Sequence, residues 1–128
     1  MKFIADPPPF IWFVTGSPQL SAKAKRLFES LAGEKFLSTA SILEIAIKTS
    51  LGKLALDKPL EKFLPEPIAL DYFQPLDISL PHALRVAILP FHHRDPSDRM
   101  IIAQSLIEDW TILSNDETDD AYGVKRIC

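Results

Sequence analysis

Three consecutive prolines, Pro7 to Pro9, directly follow the short apolar run of residues 2 to 5 and Asp6. Proline lacks a backbone N–H and cannot sit in a central strand, so a strand built from residues 2 to 5 has to stop at Asp6. A helix can begin among the same prolines, because its first N–H groups have no intrahelical acceptor. Phe10, Ile11, Trp12 and Phe13 then form its first packed turns. The chain thus opens on a strand that passes directly into a helix.

The alternation continues. Gly16, Ser17 and Pro18 make a turn, and Ser21 caps a helix whose Ala24, Leu27, Phe28 and Leu31 recur at helical spacing, with Gly33 closing it. Lys35 to Ser38 supply a second strand. Ser41 and Glu44 have capping-box spacing at the start of a helix that carries Ile42, Ile45, Ala46 and Thr49 on one side and stops near Gly52. Pro59, Pro65 and Pro67 confine any following helix to Leu60 to Leu64. Phe73 to Ile78 can hold a strand edged by Pro75, and Ser79 caps a helix through Leu84 and Val86 that Pro90 ends. Asp95, Pro96, Ser97 and Asp98 form the clearest helix entrance, for a helix running to about Asp109. Thr111 to Ser114 is a strand, Asn115 to Asp120 an acidic turn, and Val124 to Ile127 an edge strand. The expectation is an α/β fold, one domain over residues 1–128, with a mostly parallel sheet covered by helices on both faces.

Composition limits the function classes. The 128 residues are 47% hydrophobic, enough for one core, yet no apolar stretch approaches the length of a bilayer span. Residues 1 to 9 lack the apolar region and cleavage site of a secretory leader. Cys128 is the single cysteine, which excludes an internal disulfide or a thiolate metal cluster and suits a reducing cytoplasm. With 14 basic and 17 acidic residues the net charge is -3, which argues against a general nucleic-acid coat. A local basic rim remains available in Lys48 and Lys53, and in His92, His93, Arg94 and Arg99, although such charges also serve as an ordinary solvated face.

In a parallel α/β sheet, ligands gather at the carboxyl ends of the strands. Asp6 ends the first strand, Glu44 and Asp98 lie in the first turns of their helices, and Asp116 follows the strand ending at Ser114. Asp98 shares a helix face with Ile101, Ile102 and Ser105, which turns its carboxylate toward the buried side. Glu44 falls roughly opposite Ile42, Ile45 and Ala46 and one turn before Lys48, so its own helix makes it a solvent-facing ion-pair partner. Each acid also has a purely structural reading: strand end for Asp6, capping acid for Glu44 and Asp98, turn former for Asp116. Carboxylates that share one edge repel one another unless a hard divalent cation neutralises them, and Mg²⁺ or Mn²⁺ is the natural choice. Such an ion favours phosphodiester hydrolysis, since it acidifies attacking water and stabilises charge growing on phosphorus. No phosphate-binding glycine loop and no Ser/His/Asp order stands out. A zinc site from His92 and His93 needs distant His82 or acids and has poor spacing. Phosphate contact and loop packing are equally open for His92 and His93, while Arg94 or Arg99 can offset RNA phosphate charge.

The stretches STASILEIAIKTSLGKL at 38 to 54, LPFHHRDPSDRMIIAQSL at 89 to 106 and TILSNDETDDAYGV at 111 to 124 resemble PIN-domain nucleases over essentially the whole chain, specifically the VapC-like toxins of bacterial toxin–antitoxin pairs. The opening IADPPPFIW at 4 to 12 and TGSPQLSAKA at 15 to 24 fit the same family. The resemblance implies a three-layer α/β/α fold and Mg²⁺-dependent endoribonuclease activity, with Asp6, Glu44, Asp98 and Asp116 as catalytic metal ligands and Asp95 as a frequent neighbour. It also implies an RNA substrate, a cognate antitoxin that inserts a segment into or beside the acidic groove, and a homodimer; in-line attack by water on the phosphorus, the reaction expected of the four acids, leaves a 5′ phosphate and a 3′ hydroxyl.

One departure stands out. Where relatives usually carry Asp-Thr-His at the end of the first strand, this chain has Asp6-Pro7-Pro8, so a hydroxyl and an imidazole are missing beside the first acid. A catalytically weakened or silent PIN domain that binds an antitoxin or RNA is therefore the rival reading. A nuclease directed at structured DNA is a third, and the chain lacks the basic surface to grip a duplex.

Overall fold

The computed structural model describes residues 2–30, 33–56, 59–63 and 73–127. Leu31, Leu64, Pro65, Pro67 and Cys128, named above, lie outside them. The elements run β1 (Lys2–Ala5), α1 (Pro7–Thr15), α2 (Ala22–Glu29), β2 (Glu34–Ser38), α3 (Thr39–Ser50), α4 (Leu60–Phe63), β3 (Gln74–Leu76), α5 (Leu80–Val86), α6 (Pro96–Glu108), β4 (Thr111–Leu113), a 3₁₀ turn (Glu117–Tyr122) and β5 (Arg126–Ile127). The strands form one sheet in the order β3-β2-β1-β4-β5. All four pairings are parallel, with Phe3 level with Lys35 on one side and Thr111 on the other.

β1 lies at the centre because its short run is apolar on both faces. Phe3 and Ala5 face one layer, where they meet Phe10 of α1, Ala24 and Phe28 of α2, and Ile45 of α3. Ile4, pointing the other way, meets Leu89 and the Ile101, Ile102 and Ala103 face of α6. β4 repeats the alternation, with Leu113 in the first layer and Ile112 in the second. Helices therefore cover the sheet on both sides, giving three layers, α/β/α. A knot of Phe10, Phe13, Phe28 and Phe73 fills the first layer, with the Phe10 and Phe73 rings edge to face at 4.8 Å. Pro75 falls in β3, an edge strand, where its missing donor removes no ladder bond on the open side.

Two local expectations change. α2 ends at Glu29, with Ser30 in an extended conformation, so Gly33 does not close it. α3 begins three residues earlier than a Ser41 cap implies: Ser38 is the N-cap and its hydroxyl accepts from the Ala40 N–H at 3.1 Å. The extended backbone of β2 runs through Ser38, so the strand's last residue is also the first hydroxyl able to cap. Ser41 sits inside the first turn, buried and with its Oγ unpartnered among the described residues, and Glu44 moves from the first turn to the second.

Candidate metal centre

Because the strands are parallel, their carboxyl ends meet at one edge, and the chain delivers acids there from four connections. Asp6 caps α1 in backbone geometry only: its side chain makes no capping hydrogen bond. The cause is the proline run, since Pro7, Pro8 and Pro9 have no N–H to offer. The first amide available is that of Phe10, which donates to the Asp6 carbonyl at 3.2 Å. The Asp6 carboxylate is thus left uncommitted at the end of the central strand, 9% exposed, with the Ser114 hydroxyl donating to its Oδ2 at 3.3 Å.

Asp98 enters from the first turn of α6. Asp95, the N-cap of that helix, accepts from the Ser97 N–H at 2.8 Å and the Asp98 N–H at 3.4 Å. Glu44 reaches the same place from α3 and pairs with Lys48 at 3.7 Å. Its side chain is only 11% exposed, so Glu44 itself is turned into the groove, while Lys48, one turn further along the same face, stays half exposed. Glu44, Asp95 and Asp98 each bring a carboxylate oxygen within 4.8 Å of the other two.

On the β4 side, Asp116 caps the 3₁₀ turn by accepting from the Thr118 N–H at 3.0 Å. Its other oxygen accepts from His93 Nε2 at 2.8 Å, and Asp119 Oδ1 lies 3.2 Å from the same nitrogen. The sequence reading missed Asp119. Its signal was the spacing Asp116-x-x-Asp119 in an acidic run, which a turn of 3₁₀ helix folds back onto one side. The Tyr122 hydroxyl organises this corner. It accepts from the backbone N–H groups of His92 at 3.0 Å and His93 at 2.7 Å, and lies 3.3 Å from His93 Nδ1. With two amides already donating to it, the hydroxyl proton is free to point at Nδ1, which leaves the proton of a neutral imidazole on Nε2, aimed at the acids. The His93 and Tyr122 rings also stack at 5.5 Å.

The electrostatics report a site short of positive charge. Asp6 is pushed up from 3.8 to about 8, first by burial and then by Asp98, Asp119 and Glu44. Asp98 is pushed up to about 6 by burial, Asp95 and Glu44, against a small opposing pull from His93. Burial also raises Glu44, where Lys48 pulls the other way, and raises Asp119. Asp116 behaves differently: burial pulls it up, but the His93 and Thr118 hydrogen bonds outweigh that and hold it below the usual range.

The remaining candidates separate clearly. His92 is exposed and meets the Tyr122 ring edge to face at 4.8 Å, and Arg94 is exposed in the loop before α6. Arg99, proposed above as a phosphate contact, is 5% exposed and donates to the carbonyls of Val86, Leu89, Pro90 and His93. A guanidinium whose two terminal nitrogens are spent on four carbonyls is committed to the fold, and its task is to tie the end of α5 and the loop after it to α6. His82 belongs to the α5 capping box with Ser79 and to Glu108, 2.9 Å away.

The donor set fits a hard divalent cation. Several crowded carboxylates, four of them displaced upward in pKa by burial and by one another, are what such an ion neutralises, and the described residues place no thiolate among them.

Comparison with known proteins agrees with this architecture. The PIN domain family profile matches residues 9–124. No curated protein sequence matches the chain. Among solved structures, VapBC2 from Rickettsia felis bound to a promoter DNA fragment superposes with a TM-score of 0.74 at 13% identity, covering 99% of this chain and 98% of that one. FitAcB from Neisseria gonorrhoeae gives 0.70 at 18% identity, covering 98% and 96%. A toxin–antitoxin complex from Klebsiella pneumoniae gives 0.65 at 16% identity, covering 98% and 95%. With a family profile spanning nearly all of its length and an acid-lined edge on a parallel five-stranded sheet, this chain belongs to the PIN-domain family.

Proposed function

We propose that the protein is a Mg²⁺-dependent endoribonuclease and the toxin of a toxin–antitoxin pair. The observation that carries the reading is the Asp6 carboxylate, buried at the end of the central strand among Asp98, Asp119 and Glu44 with its pKa near 8. Buried carboxylates with strongly shifted pKa, crowded by other acids, cluster at functional sites. Asp6, Glu44, Asp98 and Asp116 are the residues that would hold Mg²⁺ or Mn²⁺, with Asp119 beside them and Asp95 closing the α6 side. A bound Mg²⁺ supplies Lewis acidity toward a phosphoryl oxygen and lowers the pKa of water. The chain's own contribution is positional. Tyr122 fixes His93, His93 fixes Asp116, and the Asp95 cap fixes the backbone that carries Asp98.

The likeness to the solved toxin–antitoxin complex from Klebsiella pneumoniae supports an antitoxin partner. Leu43 and Ile47 on α3 with Leu51 at its C-cap, and Leu80, Leu84 and Ile88 along α5 and the turn after it, are exposed apolar stripes of the kind that an antitoxin or a second copy would cover. Among the described residues no helix is long and apolar enough to cross a membrane.

The test is cleavage of unstructured and structured RNA with Mg²⁺, reading for 5′ phosphate ends. Asp98→Asn is expected to abolish it, and equal cleavage by that variant would remove Asp98 from the chemistry. The silent-domain alternative rests on Pro7 and Pro8. Those prolines withdraw amide donors yet leave the Asp6 carboxylate uncommitted, which favours a retained site. Calorimetric titration with Mn²⁺ separates the two: saturable binding lost in Asp6→Asn supports the nuclease, and no binding supports the silent domain.

A further inference from the structure

Beside the acidic groove lies a cavity of about 250 Å³ walled by Pro7, Pro8, Trp12, Glu44, Lys48 and Lys53 together with three aliphatic side chains. Glu44 belongs to both the cavity lining and the carboxylate cluster, so the two adjoin at that side chain. We infer that this cavity is a subsite for one nucleobase of single-stranded RNA, held against Trp12, with Lys48 and Lys53 facing the adjoining phosphates. The inference rests on the ribonuclease reading and adds a binding position to it.

The walls have the required chemistry. Trp12 is half-buried and anchored through the core-facing side of α1, which gives a rigid indole. Every base has a π-face, so stacking on an aromatic ring accepts any of them. The two prolines add flat apolar surface and present no N–H to read a base edge, so the subsite grips a base without selecting strongly among bases. Lys53, and Lys48, which also pairs with Glu44 at 3.7 Å, supply positive charge beside the acidic groove, which favours the approach of a polyanion.

Size and charge decide against a peptide. The cavity is smaller than the roughly 300–1,000 Å³ of pockets that enclose drug-sized ligands, and suits one ring system better than a segment of folded chain. A peptide that blocks the carboxylates would carry cationic side chains, which the two lysines repel. The Pro7-Pro8 departure thereby acquires a role: where a hydroxyl and an imidazole would make the wall polar, two pyrrolidine rings make it apolar.

The test uses the full chain in EDTA, so that no cleavage is involved. In a Trp110→Phe background Trp12 is the remaining tryptophan, since the chain has two. A 2′-O-methyl hexanucleotide is expected to quench its fluorescence saturably. Anisotropy of the same labelled oligonucleotide is expected to show about tenfold weaker binding to Trp12→Leu, with Trp12→Phe close to the parent. An abasic residue at one position of the oligonucleotide should cost the parent a similar factor and cost Trp12→Leu nothing further. Lys53→Ala, a change at an exposed position that leaves the fold intact, should weaken binding and flatten its salt dependence. Equal binding of intact and abasic oligonucleotides at every position overturns the subsite, as does quenching by an oligoarginine peptide with none by the oligonucleotide. Base-dependent quenching in a protein that cuts no RNA sustains the subsite and removes the nuclease reading. Asp98-dependent cleavage without base dependence removes the subsite alone.

Discussion

At the scale of single residues, the decisive contrast is between aspartates that cap and one that does not. Asp95 and Asp116 each satisfy backbone amides, whereas Asp6, at an equivalent helix start, faces three prolines and satisfies none. Its charge is consequently a burden in the absence of a cation. With its pKa raised from 3.8 to about 8, the folded state binds more protons than the unfolded chain throughout that interval, so its stabilising contribution is present below about pH 4 and lost as pH rises toward 8. The melting temperature of the EDTA-treated protein should fall across this window. Mg²⁺ should restore it at neutral pH, and Asp6→Asn should flatten the dependence and raise metal-free stability at pH 7.5 while eliminating Mn²⁺ binding. A calorimetric pH series with and without the ion checks all three. Tyr122→Phe tests the corner opposite. Without the hydroxyl, two amides and His93 Nδ1 lose their common partner, and an orienting group of this kind is worth roughly 10–100-fold in metal affinity or activity. A Mn²⁺ titration of the variant that matched the parent would deny the tyrosine that role.

At the scale of elements, the position of the α3 start determines where Glu44 points. Ser38→Ala removes a cap in use and should cost about 1 kcal/mol, whereas Ser41→Ala removes a buried hydroxyl without a partner and should be neutral or stabilising in urea melts. The reverse order would restore the later helix start that the Ser41 and Glu44 spacing suggested. Arg99 makes a second test. Its removal leaves carbonyls of Val86, Leu89, Pro90 and His93 without donors, so Arg99→Ala should destabilise by about 3 kcal/mol. Arg99→Lys should rescue little, because a single ammonium cannot span that fork. These elements also show what a sequence discloses. The strand and helix order was readable because prolines and short apolar runs punctuate it closely, and Asp98 was readable as inward-facing because its own helix face is apolar. Glu44 was misread as solvent-facing because its cover comes from outside its helix, where Pro7, Pro8 and Trp12 of α1 line the same cavity. Arg99 looked like a phosphate ligand for the same reason: nothing in its own helix shows the carbonyls of Val86 and of the loop after α5 that surround it.

At the scale of the whole molecule, β1 joins both layers, since Phe3 and Ala5 serve one core and Ile4 the other. Ile4→Ala should therefore cost about 3 kcal/mol, within the roughly 2–5 kcal/mol range of such truncations, and should lower the stability of both layers in one transition. Hydrogen exchange that protected the α1–α2 side while exposing α6 would show the layers to be independent. The same strand has a further consequence through its partners. Asp6 meets Ser114 across 108 positions of chain, and β1 cannot complete its pairing until β4 exists. During synthesis the N-terminal acid emerges early and waits, while Asp116 and Asp119 are still to be translated. The full carboxylate cluster therefore cannot assemble in a nascent chain before Asp116 and Asp119 have been made, so any chemistry that needs all of these acids is withheld from the ribosome-bound chain until that point.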